Sequence, residues 1–359
     1  MKKKEKWMFI CFLLIAIIPL IVIALIDVHV DPYFHYRAPK TDQYFYRLDN
    51  ERAQNDGIIK HFDYDAILTG TSMIQTSKTS LMDELFATHA IKVPSSGATF
   101  SEINNYVCNA IIANPDLRVV VRGLDMNNFL DDKDKMREDM GIYPTYLYDD
   151  DVLNDIKYVL NRDVFWGRTL PMLLEKKAPG ITSFDDYSNW MGQYPFGFDA
   201  VCTEKVTAPD TSKEKHLSDS EKARLIGNIQ QNVTSLANGN PDITFYYFFP
   251  PYSIIWWRNQ VDTGLIYKQV EAEKIVIEEI LKCDNIKLFS FNNLTDIITN
   301  LDNYMDHAHH GDWINDMIMQ YMHDGTCLLT KDNYEDYLEY ELAFYKGFDY
   351  TSLNKQSKR

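Results

Sequence analysis

A chain of 359 residues that is 45% hydrophobic, 13% aromatic and 25% charged can fill a large core, which excludes global disorder. The formal charge of −16 excludes nucleic-acid binding through a basic surface. The length allows one large α/β domain with an insertion, or two domains.

Residues 1–7 carry +3, four lysines against one glutamate, which leaves −19 on the remainder. Behind this basic end (1–6) stands an apolar run, Trp7 to Ile26, with no charge before Asp27. About 20 apolar residues span a bilayer as a helix. The run exceeds the roughly 7–15 residues of a signal-peptide core and no small-x-small cleavage site follows, so a membrane anchor over 7–29 is expected, with a cleaved signal as the alternative. The lysines hold the amino terminus in the cytoplasm and send the body outside. Cys108, Cys202, Cys283 and Cys327 are too widely spaced for a small disulfide scaffold and fit no zinc motif, so free thiols are expected.

A connector (30–63) follows, opening on Asp31-Pro32-Tyr33-Phe34-His35-Tyr36. Its aromatics suit either the membrane interface or packing onto the globular body. From Asp65 strands and helices alternate: a strand at Ala66–Leu68, a helix near Ser80–Thr88, a strand at Ile91–Val93, a helix over Phe100–Ala113 and a strand at Arg118–Val121. The pattern lapses from about 127 to 217, read as an insertion with one helix near Val152–Leu160. Its Trp166, Trp190 and Tyr194 are read as local core, with a carbohydrate groove as the alternative. Alternation resumes with helix Glu221–Leu236, strand Ile243–Phe249, helix Tyr267–Lys282, strand Ile286–Phe289 and helix Trp313–Met322. Such alternation predicts a parallel sheet with right-handed crossovers over about 64–345. The last residues (346–359) are a polar tail, frayed from Asn354.

Two stretches carry candidate chemistry. Asp65-Ala66-Ile67-Leu68-Thr69-Gly70-Thr71-Ser72-Met73 runs from a strand into a small-residue turn that presents Ser72 at the strand's carboxyl end. Ligands bind at that edge of open α/β sheets. Asp306-His307-Ala308-His309 sets a carboxylate three residues before an imidazole, where it can fix the tautomer and leave Nε2 free as a base. A serine needs such a base. In a parallel sheet the loops after the first and last strands share an edge, so Ser72, His309 and Asp306 are the expected catalytic residues. The compact cluster of Asp302, Asp306, His307, His309, His310 and Asp312 also has metal-binding residue types, but adjacent side chains cannot all face one ion, so neither metal nor cofactor is expected. Arg258 is a candidate substrate contact, with a packed edge the alternative.

In these blocks the chain resembles the SGNH (GDSL-type) hydrolase superfamily: Gly70-Thr71-Ser72-Met73, then Pro94-Ser95-Ser96-Gly97-Ala98-Thr99, then Asp306-His307-Ala308-His309. The resemblance implies a three-layer α/β/α, flavodoxin-like parallel sheet. It implies an oxyanion hole formed by the backbone of Ser72 and Gly97, with Thr71 lining the substrate site. The third block departs: Arg122-Gly123-Leu124-Asp125 places Asp125 where an oxyanion-donating asparagine is usual. Three readings follow: a protonated Asp125, a donor from Asn127 or Asn128, or a hole of backbone amides alone. The anchor, the Asp-Pro-Tyr segment and Pro250-Pro251-Tyr252 also resemble membrane-tethered SGNH-like proteins of cell-envelope modification, of the D-alanyl-lipoteichoic acid and alginate O-acetylation type. That implies an extracytoplasmic serine esterase or acyltransferase on a small acyl ester or an acylated envelope polymer, beside a membrane-bound O-acyltransferase. The alternative is an inactive scaffold of the same fold.

Overall fold

An apolar run without a polar face cannot sit as a helix on a water-covered core surface, and Trp7–Ile26 is such a run. In the computed structural model, which describes residues 3–139, 143–175 and 177–357, it lies within helix α1, Lys3–Val30. This helix is long and apolar enough to cross a membrane. Lys2 of the basic end and Lys358 and Arg359 of the tail lie outside the described residues.

The chain groups into two units, Met1–Phe62 with Met140–Ser183, and Asp63–Asp139 with Phe184–Arg359. The expected insertion is therefore divided: 140–183 joins the amino-terminal segment, and its flanks stay with the sheet. Aromatic pairing is the physical reason. In the first unit Tyr33 stacks on Tyr158 at 5.6 Å, and Ala53, Leu147 and Val164 complete the core. Asp31 accepts hydrogen bonds from the backbone N–H groups of His35, Tyr36 and Arg37 and from the Tyr158 hydroxyl. Asp155 holds the His35 ring and the Tyr36 hydroxyl, each at 3.0 Å. The connector's aromatics are thus folded into this unit. Helix α2, Glu51–His61, is capped by Asn50, and Phe45–Tyr46 pairs in parallel with Gly180–Ile181. Of the expected Val152–Leu160 helix, only Ile156–Val159 is helical.

The second unit is α/β around a six-stranded sheet: β1 Ala66–Gly70, β2 Ala90–Pro94, β3 Val119–Gly123, β4 Thr244–Phe249, β5 Ile286–Ser290 and β6 Leu328–Leu329. The order is β2-β1-β3-β4-β5-β6, parallel throughout except for β6. The direction of strand addition reverses between β1 and β3, which opens a crevice at their carboxyl ends. Side chains alternate across the sheet. Ala66, Leu68, Val119 and Val121 face α3 (Thr79–Phe86) and α8 (Asp312–Asp324) through Met82, Ile314, Ile318 and Met322. On the opposite face the buried Arg122 guanidinium donates to the carbonyls of Asn232 and Phe100, and lies 5.3 Å from the Phe100 ring centre. Those partners belong to α4 (Phe100–Ala113) and to the π-turn that continues α5 (Asp219–Ile229). Burial lowers the Arg122 pKa to about 10.

Among the longer helices of the described residues, α2, α6 (Ile254–Thr263) and α9 (Tyr334–Gly347) have no counterpart among the expected elements. Helix α7, Ile266–Ile280, lies between the last two. The tail is not frayed from Asn354. A 3-10 turn runs over Tyr350–Gln356, Asn354 accepts from the Val206 N–H, and Gln356 accepts from the Leu301 N–H.

Candidate active site

Five strand exits, those of β1 to β5, build the site. β1 ends at Gly70, whose φ of +152° is disfavoured for other residues; a Cβ there would also press on Ile74. Thr71 then caps a single 3-10 turn, Ser72–Ile74, so Ser72 leads that turn at the strand's carboxyl end. The loop after β2 is tied to the first by Ser95 N–H donating to the Gly70 carbonyl at 2.9 Å. It turns at Gly97, with φ +59°, and enters α4 through a capping box of Thr99 and Glu102.

The histidine loop follows β5. An antiparallel bridge between Tyr304 and His310 closes it, and Asp306 Oδ1 accepts from the N–H groups of Ala308 and His309. The exit of β4 braces the same loop, since Ser253, the N-cap of α6, donates its N–H and hydroxyl to the His307 carbonyl. From α8, Asn315 donates to the Met73 carbonyl and the Thr76 hydroxyl, fixing the serine turn.

These supports bring Ser72 Oγ to 2.8 Å from His309 Nε2 and His309 Nδ1 to 2.7 Å from Asp306 Oδ2. With Nδ1–H donating to Asp306, Nε2 accepts the serine proton. Burial alone would raise the Asp306 carboxyl; hydrogen bonds from the His309 ring and from two backbone N–H groups outweigh it and hold the carboxyl below its ordinary range. His310 is fully buried, and burial lowers its pKa to about 4, so it stays neutral. Arg137 donates to the Ser96 carbonyl and is held bidentate by Asp139, with its guanidinium where a Cβ on Gly97 would stand.

Asp125 is an acceptor three times over. Thr71 Oγ1 donates to it at 3.2 Å, the Asn127 N–H at 3.0 Å, and the Tyr252 hydroxyl completes the set. Burial first, and then the Asp125 carboxylate, push the Tyr252 phenol well above its usual range, so it remains a donor. The Asn127 amide donates to Tyr252 at 3.1 Å and the Asn128 amide to the Ala98 carbonyl at 2.8 Å. Both side-chain amides are thus engaged within the chain. The Ser72 and Gly97 N–H groups have no protein acceptor among the described residues.

Thr71 and Arg258, read from sequence as substrate contacts, are engaged within the chain. Thr71 is buried on Asp125, and Arg258 donates to the carbonyl and hydroxyl of Thr207. Trp190, read as insertion core, stands edge-on to the His309 ring at 5.9 Å and stacks with Phe196. Ser253, Asn315 and Arg137 were not singled out, and Tyr252 was noted only as part of the Pro250-Pro251-Tyr252 strand exit, without a role at the site. Among the described residues no cluster of three or more His, Cys, Asp or Glu could hold a metal, and all five cysteines are free.

No protein-family description matches the sequence, and no curated protein matches it. A solved structure described as "a putative platelet activating factor from Streptococcus pneumonia" is similar at a TM-score of 0.38 and 10% identity, over 80% of this chain and 91% of that one. A likeness that distant leaves the chemistry to the chain's own residues.

Proposed function

We propose that the chain is a membrane-tethered, extracytoplasmic SGNH-type serine esterase or acyltransferase. The observation that carries this reading is the continuous relay of Ser72 Oγ, His309 Nε2, His309 Nδ1 and Asp306 Oδ2, at 2.8 Å and 2.7 Å. The strand order β2-β1-β3-β4-β5, a flavodoxin-like order with its switch point beside Ser72, supports it.

In this mechanism Ser72 Oγ attacks an acyl carbonyl carbon while its proton passes to His309 Nε2. The negative charge gathers on the carbonyl oxygen, beside the N–H groups of Ser72 and Gly97. Collapse breaks the ester bond; the departing oxygen takes the proton from His309, and the acyl group remains on Ser72. An incoming hydroxyl then gives its proton to His309 and attacks the acyl-enzyme. Water as acceptor makes an esterase; a sugar or polyol hydroxyl on an envelope polymer makes a transferase, working beside a membrane-bound O-acyltransferase. Asp306 orients the ring and stabilises the imidazolium.

A second reading, an inactive scaffold, is favoured by one observation: Asp125 accepts hydrogen bonds where an oxyanion donor is usual. Intact-mass labelling of the full-length chain with a fluorophosphonate separates the two. A single adduct, absent in Ser72→Ala, is expected. A folded wild type that takes no adduct would remove the enzyme reading.

A further inference from the structure

The first unit carries an apolar surface beside α1. The helix is exposed from Trp7 through Val22, then partly covered, where 156–159 and 165–169 pack against it and Asp27 and Val30 are buried. Leu173 lines an apolar groove with Val22, Leu25, Ile26, His29 and Val30. In the same stretch of chain large apolar side chains are exposed: Trp166 is 61% exposed, Leu174 70%, Ile156 58% and Leu153 87%. These are not residues missing from a core, because the core of Tyr33, Ala53, Leu147, Tyr158 and Val164 is complete without them. So many exposed large apolar side chains on segments that pack beside α1 mark an interaction surface.

Its level relative to α1 identifies what covers it. Trp7–Ile26 rises about 30 Å as a helix, the thickness of a bilayer's hydrocarbon core. Leu173 lies against Val22, Leu25 and Ile26, the last turn and a half of that run, so it stands at the depth where acyl chains meet headgroups. The patch has an interfacial composition: a tryptophan and leucines, with Lys157 and Arg162 within the same stretch to reach the headgroups, while Arg168 is held by Asp49. A protein partner would have to displace lipid from this flank of α1, whereas lipid reaches it with no displacement.

We propose that residues 152–174 form a seat that dips into the lipid surface at the carboxyl end of α1. The seat rests on the reading of α1 as a membrane anchor. It would hold the first unit down on the bilayer rather than leave it on a flexible stalk.

Full-length protein reconstituted into phosphatidylcholine vesicles tests this by tryptophan quenching. The contribution of Trp166 is taken as wild type minus Trp166→Phe, and that of Trp7 as wild type minus Trp7→Phe. The expected result is that lipids brominated near the headgroup end of the chain quench both contributions. The pair Leu153→Asp and Leu174→Asp, at exposed positions that leave folding intact, should abolish the Trp166 quenching and spare that of Trp7. Quenching of Trp166 by aqueous iodide but not by brominated lipid, with Trp7 still lipid-quenched, overturns the seat and leaves the anchor standing. Protection of Trp166 from both quenchers overturns it in favour of a protein cover. Absence of lipid quenching at both tryptophans, with protein that washes off the vesicles, removes the anchor reading and the seat with it.

Discussion

At His309 the direction of a proton is set by a neighbour three residues away. Asp306 spends one oxygen on backbone N–H groups and the other on Nδ1, so the ring can neither rotate nor exchange tautomers without losing a charge-assisted bond. Asp306→Asn substitutes an amide that can donate to Nδ1 and so favours the wrong tautomer. Fluorophosphonate labelling of Ser72 should slow by about 10⁴-fold, as for comparable triads, with the fold intact by circular dichroism. Gly97→Ala imposes a side chain on a left-handed φ and on the space of the Arg137 guanidinium. Misplacing one oxyanion donor should lower the labelling rate by about 10²–10³-fold, and the same assay reads it. Asp306 and His309 were marked by their own spacing and Ser72 by its place at a strand end that shares an edge with them, and the structure brings the three together; Gly97 entered only through the family resemblance. The Tyr252 bond to Asp125 was not legible, because it joins residues 127 positions apart and no periodicity points across such a gap.

Between α7 and α9 lies a different kind of pair. Glu273 and Glu341 are both fully buried, and burial pushes both carboxyls up, with Glu273 raising Glu341 further. Tyr337 donates to Glu341 at 2.8 Å and Gln269 to Glu273 at 2.9 Å. A carboxyl raised in the folded state contributes stability that is full below its unfolded value of 4.5 and is lost as pH rises through the folded value. Urea midpoints should therefore fall from pH 5 to pH 8, at up to about 1.4 kcal/mol per pH unit for each group titrating. Glu341→Gln should flatten that slope and raise the midpoint at pH 8. Helix α9 escaped the sequence reading for a related reason: its buried face includes Glu341 and Tyr345 beside Leu338, so the apolar stripe that marks a helix is broken. Helix α4, with a capping box and an unbroken stripe, matched the expected bounds of Phe100–Ala113. Arg122 shows the converse, a charged residue on a fully buried strand that reads as surface until two carbonyls and two rings enclose it.

For the whole molecule, the division into two units was the least legible feature, since nothing in 140–183 announces that its partners lie before residue 63. The Tyr158 hydroxyl joins those segments by donating to Asp31 at 2.8 Å and accepting from the Tyr33 N–H at 3.2 Å. Tyr158→Phe removes one of the hydrogen bonds to Asp31, which keeps its three backbone donors, and leaves the buried Tyr33 N–H unpaired, so it should cost the first unit about 1–3 kcal/mol. Hydrogen exchange should quicken across 31–37 and 156–159, while labelling at Ser72 keeps its rate. The same division has a consequence for synthesis. The chain emerges from its amino terminus, so the first 62 residues wait for the arrival of 140–183 before their aromatic core can close. During that wait β1, β2 and β3 emerge, and β3 cannot gain its β4 neighbour until residue 244 is out. Each half therefore stays open while the other is being made, and apolar edges of both units are exposed together on the nascent chain. The open edge of β3 therefore waits from Gly123 to Thr244 for its neighbour, and it is in that interval, rather than in the finished fold, that the chain is most prone to aggregate.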